Sequence, residues 1–538
     1  MQVNFSTISE NLALTYGDAQ CMVNVERNRR YSFREYHLLT NQIVNMMRDR
    51  LGIGKDDVVL TILNNDSASL LSFFTACKGE AVFCYTNVVD SLADQARQLD
   101  LVQPKVVFIE SELLATHYSL LDERGVTVVS MDPPGREFSR VLDFWGLVGN
   151  ASAANPDVIR DDRDDCVVLR FTGGTTGAPK AVMYSIDNWM ASKDSQFSMP
   201  DPVIHRDTRF LHYGLISHGS GVMLFPVMFR GGCNLTTNNR DLIDFCAVVQ
   251  REKITGTTMM PPLLYRFLET GEVDDFDLGS LEVIFYGGLP IVPARLPQLQ
   301  KRFGNIFLQF YAASESCAMS TVLGLRDHFP LADGSISHFS STGKICPGNE
   351  IQIRDAEGLP MAIGCYGEIW HKSRAVSRGY WKDPEKTAKE FSQGYWKSGD
   401  VGRIDGNGYL YVIDRIKDTF VSGGHTIYPS SIEAAICAHP EVKLAAVVGV
   451  PDVGAGEAVH AEVVLTDTAT LGKLQLVERL REALDSHCVP TSIEFVKEIP
   501  LSPVGKALRR QVRDNYLKRI DDSSSSDRAE GVSHTPRS

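Results

Sequence analysis

The chain has 538 residues, of which 43% are hydrophobic, 22% charged and 9% aromatic. That composition excludes disordered, collagen-like and membrane-embedded classes and leaves room for roughly three to four compact units. Lys and Arg number 54 against 67 Asp and Glu, a net charge of −13, which repels a phosphate backbone, so no nucleic-acid partner is expected.

The 11 cysteines are scattered and never in C-x-x-C spacing, so they predict neither a disulfide framework nor a zinc site and fit a cytoplasmic location. Met1-Gln2-Val3-Asn4-Phe5-Ser6 has no basic or apolar leader pattern. No apolar run approaches the roughly 18 residues of a bilayer span, so neither secretion nor stable membrane insertion is expected.

In chain order, a β run at 58–63, a helical stretch at 67–77 and a β run at 81–84 are followed by β runs at 106–109 and 126–129. The alternation predicts βαβ units on a mainly parallel sheet. A β run at 166–169 then leads into Phe171-Thr172-Gly173-Gly174-Thr175-Thr176-Gly177-Ala178-Pro179-Lys180, and 181–184 reads as strand again. Glycines let backbone N–H groups approach phosphate oxygens, threonine hydroxyls add donors and Lys180 brings a positive charge. The spacing is not that of a Walker loop. Taken alone, the segment also reads as a plain hairpin turn.

Alternation recurs between 235 and 310, where the β run 281–286 ends on Gly287-Gly288, at a strand's carboxyl end, where α/β folds bind ligands. From about 336 to 412, short strands and the turns at 355–358 and 405–408 predict a β-rich subdomain with hairpins. Beyond Asp414-Arg415-Ile416-Lys417-Asp418, strands at 444–450 and 459–465 and helices at 430–438 and 474–484 predict a second, smaller unit. The polar end of the chain is too poor in apolar residues to offset its ordering entropy, and a disordered tail is expected there.

The glycine-rich run is followed in order by Gln309-Phe310-Tyr311-Ala312-Ala313-Ser314-Glu315, Gly367-Glu368-Ile369-Trp370, Gly379-Tyr380-Trp381, Ser398-Gly399-Asp400, Asp414-Arg415-Ile416-Lys417-Asp418, Gly423-Gly424, Tyr428-Pro429 and Pro500-Leu501-Ser502-Pro503-Val504-Gly505-Lys506. With these motifs the chain resembles the adenylate-forming (ANL) superfamily of acyl-CoA ligases, peptide-synthetase adenylation domains and beetle luciferases, over roughly residues 10 to 515. The resemblance implies an α/β fold: a large N-terminal multi-subdomain domain with a β-rich subdomain (1–413), a hinge (414–418) centred on Lys417, a small mobile C-terminal α+β domain (419–519) and the tail (520–538).

It further implies that Thr172, Thr175, Thr176 and Lys180 hold the triphosphate of ATP. Tyr311 stacks on adenine beside Gly287, Gly288 and Ser314, and Asp400 with Arg415 binds the ribose. Glu315 offers a hard oxygen to Mg²⁺, Lys506 acts on carboxylate and α-phosphate, and Gly423-Gly424 exchanges with Lys506 for the coenzyme A step. His218 would gate the pantetheine tunnel, and His212, Tyr213, Tyr286, Gly287 and Ala312 would line an acid pocket suited to a hydrophobic or cyclic acid. Read without the resemblance, Asp400 with Arg415 is equally a surface ion pair, Glu315 a solvated loop carboxylate, Lys506 an exposed lysine and His218 a packed core histidine.

The activity implied is ligation of a carboxylic acid to coenzyme A through an acyl-adenylate. Three rivals stand beside it: a thioesterification-only enzyme using preformed acyl-adenylate, a free-standing adenylation domain loading a carrier protein, and a non-catalytic nucleotide-binding scaffold. The identity of the acid is not legible, and a homodimer is left open.

Overall fold

In the computed structural model, the β runs read near 58–63 and at 106–109 are the strands Val58–Ile62 and Val106–Ile109, buried at every position. Such unbroken apolar runs suit parallel strands covered on both faces. The structure describes every residue except 173–178, 200, 289–290, 292–294, 318, 330–337, 453, 502–506 and 531–538, and gives the backbone alone for 520–530. Two compact units are present, one of Met1–Gly288, Leu299–Gln352 and Trp370–Ser398, the other of Leu289–Gln298, Ile353–Ile369 and Gly399–Ser538.

The large unit holds two sheets. One has seven strands in the order Lys180–Tyr184, Val168–Thr172, Val82–Thr86, Val58–Ile62, Val106–Ile109, Thr127–Ser130 and Leu142–Asp143. It is parallel except for the antiparallel pair formed by its first two strands. The other has nine strands, with a parallel centre that includes Arg209–His212, Gly256–Met259, Val283–Gly287 and Phe307–Ala312.

The helical stretch expected at 67–77 is two short helices, Asn65–Leu70 and Phe73–Lys78, broken at Ser72, which is extended (φ −77°, ψ 174°). Distant side chains take up carbonyls at the break: the Tyr36 hydroxyl donates to the Ser69 carbonyl (2.6 Å) and the Tyr85 hydroxyl to that of Leu71 (2.8 Å). These bonds satisfy backbone groups that a helix end otherwise leaves orphaned.

In the small unit, the strands His425–Ile427, Phe420–Ser422, Gly456–Leu465 and Val442–Asp452 form a sheet extended by Ser492–Phe495 beside Gly456–Leu465. Helices Pro429–Cys437 and Lys473–Ala483 contribute Ile432, Ile436, Leu476 and Leu480 to one core with Val447, Ala461 and Ile493. The final helix runs Arg509–Glu530, so the backbone is helical through the first part of the stretch expected to be disordered. Once a packed turn has nucleated a helix, adding residues is cheap.

Candidate functional site

The candidate site of the large unit is built on the antiparallel pair Val168–Thr172 and Lys180–Tyr184, in which Thr172 lies opposite Lys180. Of the predicted phosphate cradle, Thr172 and Lys180 are described, whereas Thr175 and Thr176 fall outside the described residues. The Gly379-Tyr380-Trp381 segment is pinned along the outer edge of this pair, with Met183 N–H donating to the Gly379 carbonyl (3.0 Å) and Trp381 N–H to that of Ala181 (2.8 Å). The Tyr184 hydroxyl donates to the Ser314 carbonyl (2.6 Å), and Ser377 N–H donates to the carbonyl of Glu315 (2.8 Å). The turn carrying Glu315 is thereby fixed to the strand that carries Lys180.

These anchors bring four side chains into one polar group. The Tyr380 hydroxyl lies 2.8 Å from Glu315 Oε1 and also contacts Glu390 Oε2. Lys180 Nζ is 3.0 Å from Glu390 Oε1 and 5.1 Å from the centre of the Tyr380 ring. Burial pushes the Glu315 carboxyl up, against the lowering effects of Tyr380 and Lys180. Burial, then the charge of Glu315, raises the Tyr380 phenol. One phenol proton serves two carboxylates, so the group is poised to exchange a proton or accept a cation. Tyr380 lies in a motif singled out from the sequence, but its bridging role and that of Glu390 were not legible there; no spacing rule links Glu390 to Lys180, 210 residues away.

The predicted acid-pocket residues are largely committed elsewhere. His212 is fully buried, with Nδ1 on Ser220 Oγ (2.9 Å) and Nε2 on Asn234 Oδ1 (2.8 Å), and burial lowers its pKa to about 4. The Tyr213 hydroxyl donates to the Arg240 carbonyl, and that of Tyr286 meets Gln309 Oε1 (3.1 Å) and His328 Nε2 (2.8 Å). All three are buried, with their polar atoms turned to protein partners. Gly287 is the last residue of its strand rather than a residue beyond it, and a Cβ there would lie 2.5 Å from the Phe310 carbonyl oxygen and 3.0 Å from its ring. Phe310 thus occupies the space that a side chain at 287 would need. Gly288 has φ +77°, the left-handed region that glycine enters freely.

Tyr311 and Ala312 end the strand Phe307–Ala312, with a register shift between them. His218 is half-buried, its Nδ1 sealed without a hydrogen-bond partner among the described residues, and burial first, then the charge of Arg170, lowers its pKa to about 3.

In the small unit Asp400 and Arg415 are opposite each other on adjacent strands, with Arg415 Nε 3.0 Å from Asp400 Oδ1. Lys417 lies in the 3-10 turn Ile416–Asp418. Gly423 and Gly424 (φ +56° and +83°) form the turn of the hairpin pairing Ser422 with His425, a two-residue connection that requires positive φ at both positions. Lys506 falls outside the described residues. Arg509, three positions later and not singled out from the sequence, contacts Asp414 (3.1 Å), Asp418 (3.4 Å) and Glu433 (2.6 Å). Burial pulls its pKa down, but the three carboxylates outweigh it and the net shift is upward.

His460, Glu462 and Glu494 also approach one another as metal ligands would. Arg519 already sits on both carboxylates, 3.0 Å from Glu494, so that cluster holds a cation of its own. Among the described residues no helix is long and apolar enough to cross a membrane.

A two-unit α/β fold with its lysine, tyrosine and carboxylates mounted at this strand pair suits an AMP-forming acid–thiol ligase, the class to which the family and its relatives assign the chain. The chain belongs to the AMP-binding enzyme family: residues 10–381 match the AMP-binding enzyme model and 431–506 its C-terminal domain. It is 31% identical over 440 residues to a medium/long-chain-fatty-acid–CoA ligase of Mycobacterium tuberculosis, covering 75% of each chain. It is also 31% identical over 404 residues to a feruloyl-CoA synthase of Amycolatopsis sp, covering 74% of this chain and 80% of that protein. Among solved structures, the amide bond synthetase McbA from Marinactinospora thermotolerans superposes with a TM-score of 0.84 at 27% identity, over 95% of this chain and 99% of that one.

Proposed function

We propose that the protein converts a hydrophobic or cyclic carboxylic acid to its coenzyme A thioester in two steps. The carboxylate attacks the α-phosphorus of ATP, expelling pyrophosphate and forming an acyl-adenylate. The thiol of coenzyme A then adds at the acyl carbon, and AMP departs. ATP and coenzyme A are the substrates expected of the family. The observation that carries the reading is the Lys180–Glu390–Tyr380–Glu315 group at the strand pair.

In this reading Lys180 leaves Glu390 to meet phosphate oxygens, with Thr172 donating beside it. Glu315, desolvated and acceptor-rich, fits the hard oxygen donor that Mg²⁺ prefers, and the ion would neutralise charge on the phosphates. Asp400, held by Arg415, accepts from the ribose hydroxyls. Lys506 supports the first half-reaction, and rotation of the small unit about Lys417 brings Gly423-Gly424 forward for the second. The names of the relatives, one acting on fatty acids and one on a phenolic acid, support an acid with a sizeable apolar body.

The test is a panel of aliphatic and aromatic acids assayed for both pyrophosphate and thioester. Pyrophosphate with no thioester, but with amide when an amine is added, would replace the thiol acceptor by an amine, in line with the amide bond synthetase likeness. Thioester only from synthetic acyl-adenylate would restrict the protein to the second half-reaction.

A further inference from the structure

We propose that Arg170 is the carboxylate-recognition residue of this site, its guanidinium binding an anionic oxygen pair of the acid substrate beside His218. The inference rests on the ligase reading above. Arg170 is 4% exposed, and none of its side-chain N–H groups has a hydrogen-bond or ion-pair partner among the described residues; its Nε is sealed from solvent altogether. A guanidinium keeps its charge at any ordinary pH, and burying an unpaired charge costs several kcal/mol. The nearby aromatic faces give little compensation, because the rings of Phe73 and Tyr184 both lie 5.9 Å away, at the edge of useful cation–π range. With no counter-ion among the described residues, such a group leaves that role to a ligand.

Position identifies the ligand. Residues of a strand alternate between faces, and Arg170 shares its face with Val168 and Thr172, while Leu169 and Phe171 enter the opposite core. Across the pair, Lys180 opposite Thr172 and Val182 opposite Arg170 belong to that same face. Arg170 therefore stands one pleat behind the Thr172–Lys180 end. Tyr184, next to Arg170, holds the Ser314 carbonyl immediately before Glu315. The His218 ring lies close enough to feel the Arg170 charge, and Phe73, whose ring is 5.9 Å from the guanidinium, and Ser217, the residue before His218, both line one narrow crevice. An anion here sits between the lysine read as phosphate-binding and the histidine read as gating the pantetheine tunnel, where a carboxylate awaiting activation belongs. The carboxylate is either the reacting one or a second one at the far end of a diacid.

The test uses the full-length protein with Arg170→Met and Arg170→Lys, their folding checked by circular dichroism. Hexanoate and adipate are compared by calorimetric binding without ATP, by pyrophosphate release and by thioester formation from synthetic hexanoyl-adenylate. Arg170→Met is expected to weaken acid binding and raise the acid KM about 10- to 100-fold, leaving the KM for ATP within about twofold, and Arg170→Lys to recover part of the loss. Equal losses for both acids with hexanoyl-adenylate turnover intact assign the reacting carboxylate; a loss confined to adipate assigns the distal one. Unchanged acid binding and KM in Arg170→Met, an equal rise in the KM for ATP, or no binding of either acid by the wild type would overturn the proposal. Arg170-dependent acid binding in a wild type that releases no pyrophosphate would sink the ligase reading and leave this one standing.

Discussion

Two arginines, Arg509 half-buried in the small unit and Arg170 buried in the large one, meet opposite circumstances. Arg509 in the small unit is ringed by Asp414, Asp418 and Glu433 and also donates to Ser430 Oγ (2.6 Å). Arg170 in the large unit has no such partner among the described residues. The first charge is consumed by the fold, tying the segment 414–418 to the helix Pro429–Cys437. The second is left available. A buried charge thus reports architecture when it is compensated and binding when it is not, a distinction that residue type and burial alone do not make.

The sharpest way to break this comparison is to remove each cation in turn. Arg509→Met strands three carboxylates and should cost about 3–5 kcal/mol, read by denaturant unfolding of the small unit's transition. Arg170→Met should be neutral or stabilising, because an apolar side chain replaces an unpaired charge; equal losses in both variants would erase the contrast.

A second contrast concerns groups the fold keeps neutral. Burial lowers His212 and His371 to about 4 from 6.5. Between pH 6.5 and 4 the unfolded chain binds protons that the folded chain refuses, so stability falls as pH falls, by up to about 1.4 kcal/mol per unit for each histidine. Asp66, raised by burial from 3.8 to about 7, works the other way, losing stability as pH rises from 3.8 towards 7. Substituting His212 by Asn should flatten the acid limb of a pH–stability curve by one proton, and an unaltered slope would mean His212 is protonated in the folded state. In the same range, Arg170→Met should move the His218 pKa upward from about 3 while burial keeps it below 6.5, as a histidine NMR titration would register.

The smallest effect concerns Lys180, a paired cation that the ligase reading requires to be released. Its partner carboxylate is 26% exposed, so the pair is worth about 1 kcal/mol or less. Glu390→Gln should lower the KM for ATP by up to about fivefold, measured by pyrophosphate release; a raised KM would show that Glu390 assists the nucleotide instead of competing with it.

Much of this was legible in the sequence. Strand positions at 58–63 and 106–109 followed from runs rich in β-branched and apolar residues, that at 181–184 from a short apolar run after the glycine-rich turn, and the small unit's elements from their α/β alternation. What was not legible depends on contacts distant in sequence. Ser72 breaks a helix that periodicity runs straight through, because Tyr36 and Tyr85 supply hydroxyls from elsewhere. The resemblance places Tyr286 and His212 at the acid pocket, but not the partners Gln309, His328, Ser220 and Asn234 that take up their polar atoms. Arg170 did carry a local signal: a charge at the centre of the buried strand Val168–Thr172 contradicts its surroundings, and such contradictions mark function more often than fold.

Arg509 also limits reach. Three residues of fully extended chain span at most about 10–11 Å, so the backbone at position 506 stays within that distance of the backbone of Arg509, whose guanidinium is fastened to Asp414 and Glu433. If Lys506 acts as proposed, a leash this short ties its arrival at the reacting groups to the movement of the body that holds Arg509. Glycines inserted between 506 and 509 would lengthen the leash and uncouple the two.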